Sequence, residues 1–265
     1  MVDTSTLRVF EPYPGVFAYY DGRIAGKRLH SEKPNWLDDG AFELGAASYA
    51  IVDGAEALVY DTHISIAHAR FIRQHLEDRG VGKITVVLSH WHADHVAGNA
   101  VFEDCEIIAL ELTARALEEN RPRLESRDPP IRPLVMPNRL FTTALTLQIG
   151  ERTVELHHFD IHSADGNIHI GELERMRTWP IRRILPNHGS AERIAAGGYS
   201  VGLIDANRRY LEKLTTKGEL SKPEIMSLKD FIAEDLAAGA IDYFKPYEAV
   251  HRRNVVAIMS RSDGD

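Results

Sequence analysis

Cysteine is nearly absent: Cys105 is the only one among 265 residues, so no disulfide can form within the chain and a disulfide-stapled scaffold is excluded. It lies in CEIIAL, which reads as a strand, where a thiol serves as a small buried apolar side chain. Long hydrophobic runs are missing as well, and no stretch of about 20 apolar residues could span a bilayer. The opening residues, MVDTSTLRVFEPYPGVFAYYDGR, have neither a basic start nor an unbroken apolar centre. A cytoplasmic protein without a membrane partner is therefore expected. Positive charge is in short supply too. Lys and Arg number 31 against 39 Asp and Glu, a formal net charge of −8, which argues against a surface that tracks nucleic-acid phosphates. No internal repeat or low-complexity tract occurs.

What is present suits a globular enzyme-sized chain, with 44% hydrophobic residues available for a core. The run AASYAIVDGAEALVYDT contains two β-rich segments around Asp53-Gly54, a strong hairpin signal. SIAHARFIRQHLEDRG carries apolar residues at helical spacing and stops at Gly80. KITVVL reads as a buried strand, HVAGNAVF as a helix start, CEIIAL as a strand and ELTARALEEN as a helix. A second hairpin, LTLQIGERTVELHHFD, turns at Gly150-Glu151, and the chain from Tyr199 is mostly helical. The alternation implies a layered α/β domain over residues 1–198, closed by a helical C-terminal portion, 199–265, packed on it.

Between KITVVL and the next helix stands LSHWHADHVAGNAVF, with His90, His92, Asp94 and His95 inside six positions. A loop at the mouth of a buried strand is held rigidly, and side chains there can converge on one point. His90 and His92 can supply two nitrogens to one cation, while Asp94 and His95 face a second. Imidazole with carboxylate suits zinc best, and iron or manganese also fit.

SHWHADHVAG resembles the His-x-His-x-Asp-His signature of the metallo-β-lactamase superfamily, with Gly98 as its second glycine and Ala97 where the first usually stands. The likeness runs from about Ala46 to Gly189. It implies an αββα sandwich of four layers, one or two zinc ions, and two further histidine ligands. His162, opening the Ser-Ala-Asp-Gly turn of HHFDIHSADGN, matches the third ligand of the first metal; His157 and His158 are its rivals, though they lie within the strand. His188, in LPNHGS, matches the last ligand. One expected part is missing. Family members carry between these two histidines a strand pair ending in an aspartate that bridges the metals, whereas here HSADGNIHI passes directly into GELERMRTWPIRRIL, which reads as a helix and a strand. Against the family's pattern, a strand pair near residue 170 is deleted. The interval contains one aspartate, Asp165, which more plausibly shapes its turn. Without a bridging anion two cations ~3.5–4 Å apart repel, so a single metal on His90, His92 and His162 becomes realistic. The loss would also expose a sheet edge, which a second subunit could cover in a homo-oligomer.

The resemblance implies hydrolysis, with Asp94 orienting the nucleophile and passing a proton to the leaving group. Asp61, in VYDT, matches a position that supports the ligand loop from behind; capping the next helix is the alternative. NRPRLESRDPPIRPLVMPNRLF has five arginines and five prolines. It reads either as a lid that attracts an anionic substrate or as a semi-rigid connection. Trp36 and Phe42 are candidates for an acyl-binding wall or for the core. A small-molecule carboxylic ester, lactone or thioester is the expected substrate. A metal-binding scaffold protein with crippled catalysis is the alternative.

Overall fold

Aromatic and β-branched residues fit the pleated, half-buried surface of a strand, and they open the molecule. In the computed structural model, which describes residues 2–160, 166–216 and 227–262, β1 (Arg8–Tyr13) and β2 (Val16–Asp21) pair around Pro14-Gly15. Gly15 takes φ +72° there, a conformation that favours glycine. This hairpin was not anticipated above. After a π-helical turn (Leu37–Phe42), the two runs around Asp53-Gly54 form the expected hairpin of β3 (Ala46–Asp53) and β4 (Glu56–Tyr60). α1 (Ile66–Glu77) begins at Ser65, whose side chain accepts from the His68 N–H.

β5 (Lys83–Val87) leads into α2 (Ala93–Val96) and a 3₁₀ turn (Asn99–Phe102), where one longer helix was expected. The break falls at Gly98. A Cβ there would lie 2.2 Å from the Thr62 carbonyl oxygen and 2.3 Å from the Ala69 Cβ, so the backbone presses directly onto α1 and the Thr62 turn. β6 (Glu106–Leu110), α3 (Glu111–Glu119), α4 (Arg121–Glu125) and β7 (Arg139–Phe141) follow. Cys105 precedes β6 instead of lying within it, and is half-buried. Burial and the adjacent Asp104 push its thiol up to about 11, which keeps it in the protonated form near neutral pH.

These strands form one sheet in the order β1-β2-β3-β4-β5-β6-β7, antiparallel as far as β4 and parallel from β4 to β7. β8 (Ala144–Ile149) and β9 (Arg152–His157) form a separate antiparallel pair turning at Gly150, as expected. The period-two alternation of strands builds the layers. Ala57, Val59, Val86, Ile107 and Ala109 pack against Ala69, Ile72 and Leu76 of α1. Their neighbours Leu58, Val87 and Ile108 point the other way, onto Leu147, Ile149 and Leu156 of the small sheet.

The chain divides into two compact units, Met1–His158 with Pro186–Ala196, and Phe159–Leu185 with Gly197–Asp265. Among the described residues no strand follows β9 before α5 (Gly166–Arg177). The strand expected before His188 is reduced to a single bridge between Ile184 and Tyr199. Pro180 and Pro186 bracket it, and proline cannot donate to a ladder. α6 (Ala191–Ala195) belongs to the first unit. α7 (Gly202–Thr215), α8 (Leu228–Phe231), α9 (Ala233–Ala237) and α10 (Tyr247–Ser262) belong to the second. Leu214, Leu228, Phe231, Ile232 and Val255 form its core. Among the described residues, no helix is long and apolar enough to cross a membrane.

The contact at Gly98 yields a direct test. Gly98→Ala should cost about 1–3 kcal/mol, the usual penalty of overpacking, seen as a lower urea midpoint at unchanged slope. An unchanged midpoint would show that the wall of Thr62 and Ala69 gives way.

Candidate metal centre

In sheets with parallel strands, ligands bind beyond the carboxyl ends of the strands, and the chemistry-bearing residues gather there. β4 ends in Tyr60, and the next residue, Asp61, sits at φ +64° with its N–H on the Val87 carbonyl. From the end of β5 the chain enters Ser89-His90-Trp91-His92, and α2 carries Asp94 and His95. The Thr62 N–H bonds to the His95 carbonyl at 2.8 Å, which ties the two strand ends together.

Asp61 is fully buried. Its carboxylate accepts from the Ser89 N–H at 2.7 Å, the Ser89 hydroxyl at 2.7 Å, His95 Nδ1 at 2.8 Å and Asn187 Nδ2 at 2.8 Å. It does not cap α1, since Ser65 does so. Of the two readings of Asp61, support of the ligand loop is therefore the one the geometry carries.

The hydrogen bonds dictate the state of each ring. A carboxylate only accepts, so His95 Nδ1 carries the proton and a neutral ring keeps its lone pair on Nε2. The Ser89 hydroxyl gives its proton to Asp61 and so accepts from His90 Nδ1 at 2.9 Å; the lone pair of His90 then also falls on Nε2. His188 Nδ1 donates to the Gly45 carbonyl at 2.7 Å, with the same result. The segment of His188 is clamped from several sides. Ala47 N–H donates to the Asn187 carbonyl at 2.8 Å, Tyr20 Oη to the Gly189 carbonyl at 2.9 Å, and Tyr49 Oη to the Pro186 carbonyl.

The resulting cluster brings five of the six sequence candidates together. Ring centroids lie 4.5 Å apart for His90 and His92, 4.1 Å for His90 and His95, and 5.3 Å for His95 and His188. His95 Nε2 and His188 Nε2 lie 3.3 Å and 3.2 Å from the same Asp94 oxygen, Oδ2. Ligand atoms of Asp94, His95 and His188 all fall within 4.8 Å of one another. The sixth candidate, His162, lies outside the described residues, as does Asp165. Its rivals belong to the β8–β9 hairpin: His157 ends β9 opposite Ala144, and the His158 N–H bonds to the Thr143 carbonyl.

These donors fit a divalent cation. His95 Nε2 is buried and makes no hydrogen bond; its approach to Asp94 lacks the geometry of one. With a neutral ring, lone pairs of nitrogen and oxygen would face each other at close range, an arrangement that calls for positive charge between them, either a proton or a metal ion. The titration behaviour agrees. Burial disfavours a charged His95, yet Asp61 and Asp94 overcome this and lift it to about 10. Burial likewise disfavours a charged Asp94, yet His188 and His95 hold it well below the usual carboxylate range.

Of the candidate wall residues, Phe42 is buried in an apolar cluster with Leu29, Leu37 and Ile64, whereas Trp36 is half-buried at its margin. The arginine- and proline-rich stretch is anchored, with Leu124, Ile131 and Leu134 in the main core.

Residues 41–174, about half of the chain, match the profile of the metallo-β-lactamase superfamily. The chain belongs to this superfamily. Its fold is shared with solved structures of low sequence identity, among them the DIM-1 metallo-β-lactamase exposed to ceftazidime. That structure is 16% identical, with 80% of this chain and 98% of that one covered at a TM-score of 0.56. The metallo-β-lactamase from Pontibacter korlensis is 15% identical over 78% and 99%, at 0.58. TMB-1 is 14% identical over 79% and 99%, at 0.57. No curated protein matches the sequence. The superfamily has a metal-dependent hydrolase fold and binds divalent metals, usually zinc.

Two outcomes follow for the centre. Asp61→Asn replaces an acceptor-only carboxylate with a group that cannot satisfy all four donors, and should weaken zinc binding about 10–100-fold in chelator competition. Unchanged affinity would remove Asp61 from the support of the ligands. In metal-free protein, His95 binds its proton more tightly folded, at about 10, than unfolded, at 6.5. Its contribution to stability is complete below about pH 6.5 and is lost as pH rises towards 10. Chelated protein should therefore melt lower at pH 9.5 than at pH 7, with zinc reducing the difference; equal pH dependence with and without zinc contradicts this.

Proposed function

We propose that the protein is a metal-dependent hydrolase of a small carboxylic ester, lactone or thioester. The observation that carries this reading is the convergence of His95 Nε2 and His188 Nε2 on one oxygen of Asp94, with the His90 and His92 rings alongside. His162 would join His90 and His92 as the third nitrogen of a first metal, and Asp94, His95 and His188 would hold a second. Zinc is the best match to this mixture of imidazole and carboxylate, with iron or manganese as alternatives. When bound, the cation supplies Lewis acidity and a nucleophile drawn from water at neutral pH.

The chain's own residues provide the rest. Asp94 lies at the start of a short helix, partly exposed, so one oxygen can serve the cluster while the other faces incoming substrate. That placement suits it to orient water and then return a proton to the leaving group. Asp61, Ser89, Gly45 and Asn187 hold the rings in their tautomers and lower the reorganisation needed during reaction.

A second reading draws on a different observation. Among the described residues, Asp94 is the sole carboxylate in the ligand cluster, and the bridging aspartate of the family has no counterpart in the sequence read above. A scaffold or binding protein that holds metal without turnover would show the same donors. One experiment separates the two: metal content measured on purified protein alongside hydrolysis of an aryl ester, a lactone and a thioester. Turnover that chelator abolishes and zinc restores supports the hydrolase; bound metal with no turnover on any of the three supports the scaffold. Asp94→Ala should lower metal content and reduce kcat/KM by at least about 100-fold. Activity unchanged in that variant would exclude Asp94 from the reaction.

A further inference from the structure

The arginine-rich connection contains a side chain that neither fold nor metal cluster accounts for. Four of its five arginines are exposed on the surface or committed to carboxylates: Arg121 pairs with Glu118 and Glu125, Arg139 pairs with Glu106, and Arg123 and Arg132 are exposed. Arg127 is different. It is half-buried and makes no hydrogen bond or ion pair with any described residue, and its guanidinium lies 5.1 Å from the centre of the Trp36 ring. That platform is fixed in place. The Trp36 indole N–H donates to the Pro129 carbonyl at 2.8 Å, His30 Nε2 meets Asp128 Oδ1 at 2.9 Å, and Trp36 packs against the main core. Two stretches about 90 residues apart are thereby pinned together with the guanidinium lying across the indole.

Arg127 also lies within electrostatic reach of Asp94. Burial and the nearby Arg123 lower its pKa from the usual guanidinium value, while the charge of Asp94 works in the opposite direction. Arg123, on α4 four residues earlier, is exposed and likewise makes no ion pair with any described residue. A stacked guanidinium remains charged and keeps its in-plane N–H donors available, because stacking occupies only its face. Leaving such a group half out of water with no acceptor costs stability. An anion that pairs with its edge recovers that cost, and a carboxylate matches the geometry with two parallel bonds.

We propose that Arg127, laid across Trp36 beside the metal cluster, receives a carboxylate carried by the substrate, so that the substrate is an anionic ester, lactone or thioester. The substrate assignment rests on the hydrolase reading; the anion site itself rests only on the geometry of Arg127. Trp36 thus serves as a positioning residue, and Arg127 selects between charged and neutral substrates.

The test uses zinc-loaded protein titrated with benzoate and, separately, with the neutral analogue benzamide, followed by tryptophan fluorescence. Benzoate should bind more tightly than benzamide. Arg127→Met keeps an aliphatic stem over Trp36 but loses the charge and donors, and should bind benzoate about tenfold more weakly or worse at equal zinc content. Arg127→Lys restores the charge without the paired donors and should recover only part of the loss. Equal benzoate affinity in Arg127→Met and unaltered protein overturns the proposal and leaves the anion on the metal alone. A second arm compares a carboxylated aryl ester with its neutral counterpart. The ratio of their kcat/KM values should fall in Arg127→Met, mainly through KM. If unaltered protein hydrolyses neither ester, the hydrolase reading fails, while the benzoate titration still decides the anion site.

Discussion

Everything at the candidate centre depends on one buried carboxylate. Asp61 takes hydrogen bonds from Ser89 in the loop after β5, from the His95 ring and from Asn187 beside His188. Because it can only accept, it decides which nitrogen of His95 carries the proton and, through Ser89, which nitrogen of His90 does. His95 Nε2 and His188 Nε2 then close on the same Asp94 oxygen, with the His90 ring beside them. Such a centre needs positive charge, a metal ion or in its absence a proton on His95, since neutral rings would turn buried lone pairs on the Asp94 carboxylate. The fold sustains this because Asp61 stands at the end of a central strand, with the sheet and α1 packed firmly behind it.

The same economy runs through the surrounding backbone. Gly98 lets the ligand helix lie against Thr62. Gly45, at φ +77°, leaves room for the Tyr20 hydroxyl and presents its carbonyl to His188. Behind these, a second buried layer joins Ser65, His68 and Asp21, with His68 Nδ1 at 2.7 Å from Ser65 Oγ and its Nε2 at 2.9 Å from Asp21 Oδ2. His63 stacks on His68, with ring centroids 4.6 Å apart, and burial keeps its pKa well below the ordinary value. These buried side chains satisfy one another within hydrogen-bonding distance and stiffen the turn between β4 and α1.

Much of this was legible in the residue order, where the signals are local. The Asp53-Gly54 turn, the helical spacing after Ser65 and the apolar run before Ser89 each depend on a few neighbouring positions, and each forms where expected. The spacing of His90, His92, Asp94 and His95 placed four side chains at one strand mouth. What the sequence reading lost has physical causes. The first hairpin carries aromatic, β-rich residues around Pro14-Gly15, without the Asn-Gly or Asp-Gly pair that marks the tightest turns. The 180–186 segment looks like a strand by composition, but prolines at both ends reduce it to one bridge. Arg127 on Trp36 could not be read at all, because a contact between residues 91 positions apart leaves no trace in local pattern.

The central claim is that imidazole nitrogens and the Asp94 carboxylate share a cation. X-ray absorption at the zinc edge, on protein loaded with a single equivalent, measures that coordination shell directly. The account requires nitrogen and oxygen scatterers at roughly 2.0–2.1 Å, with outer-shell scattering from at least two imidazole rings. A shell of oxygens alone, without imidazole scattering, would contradict it.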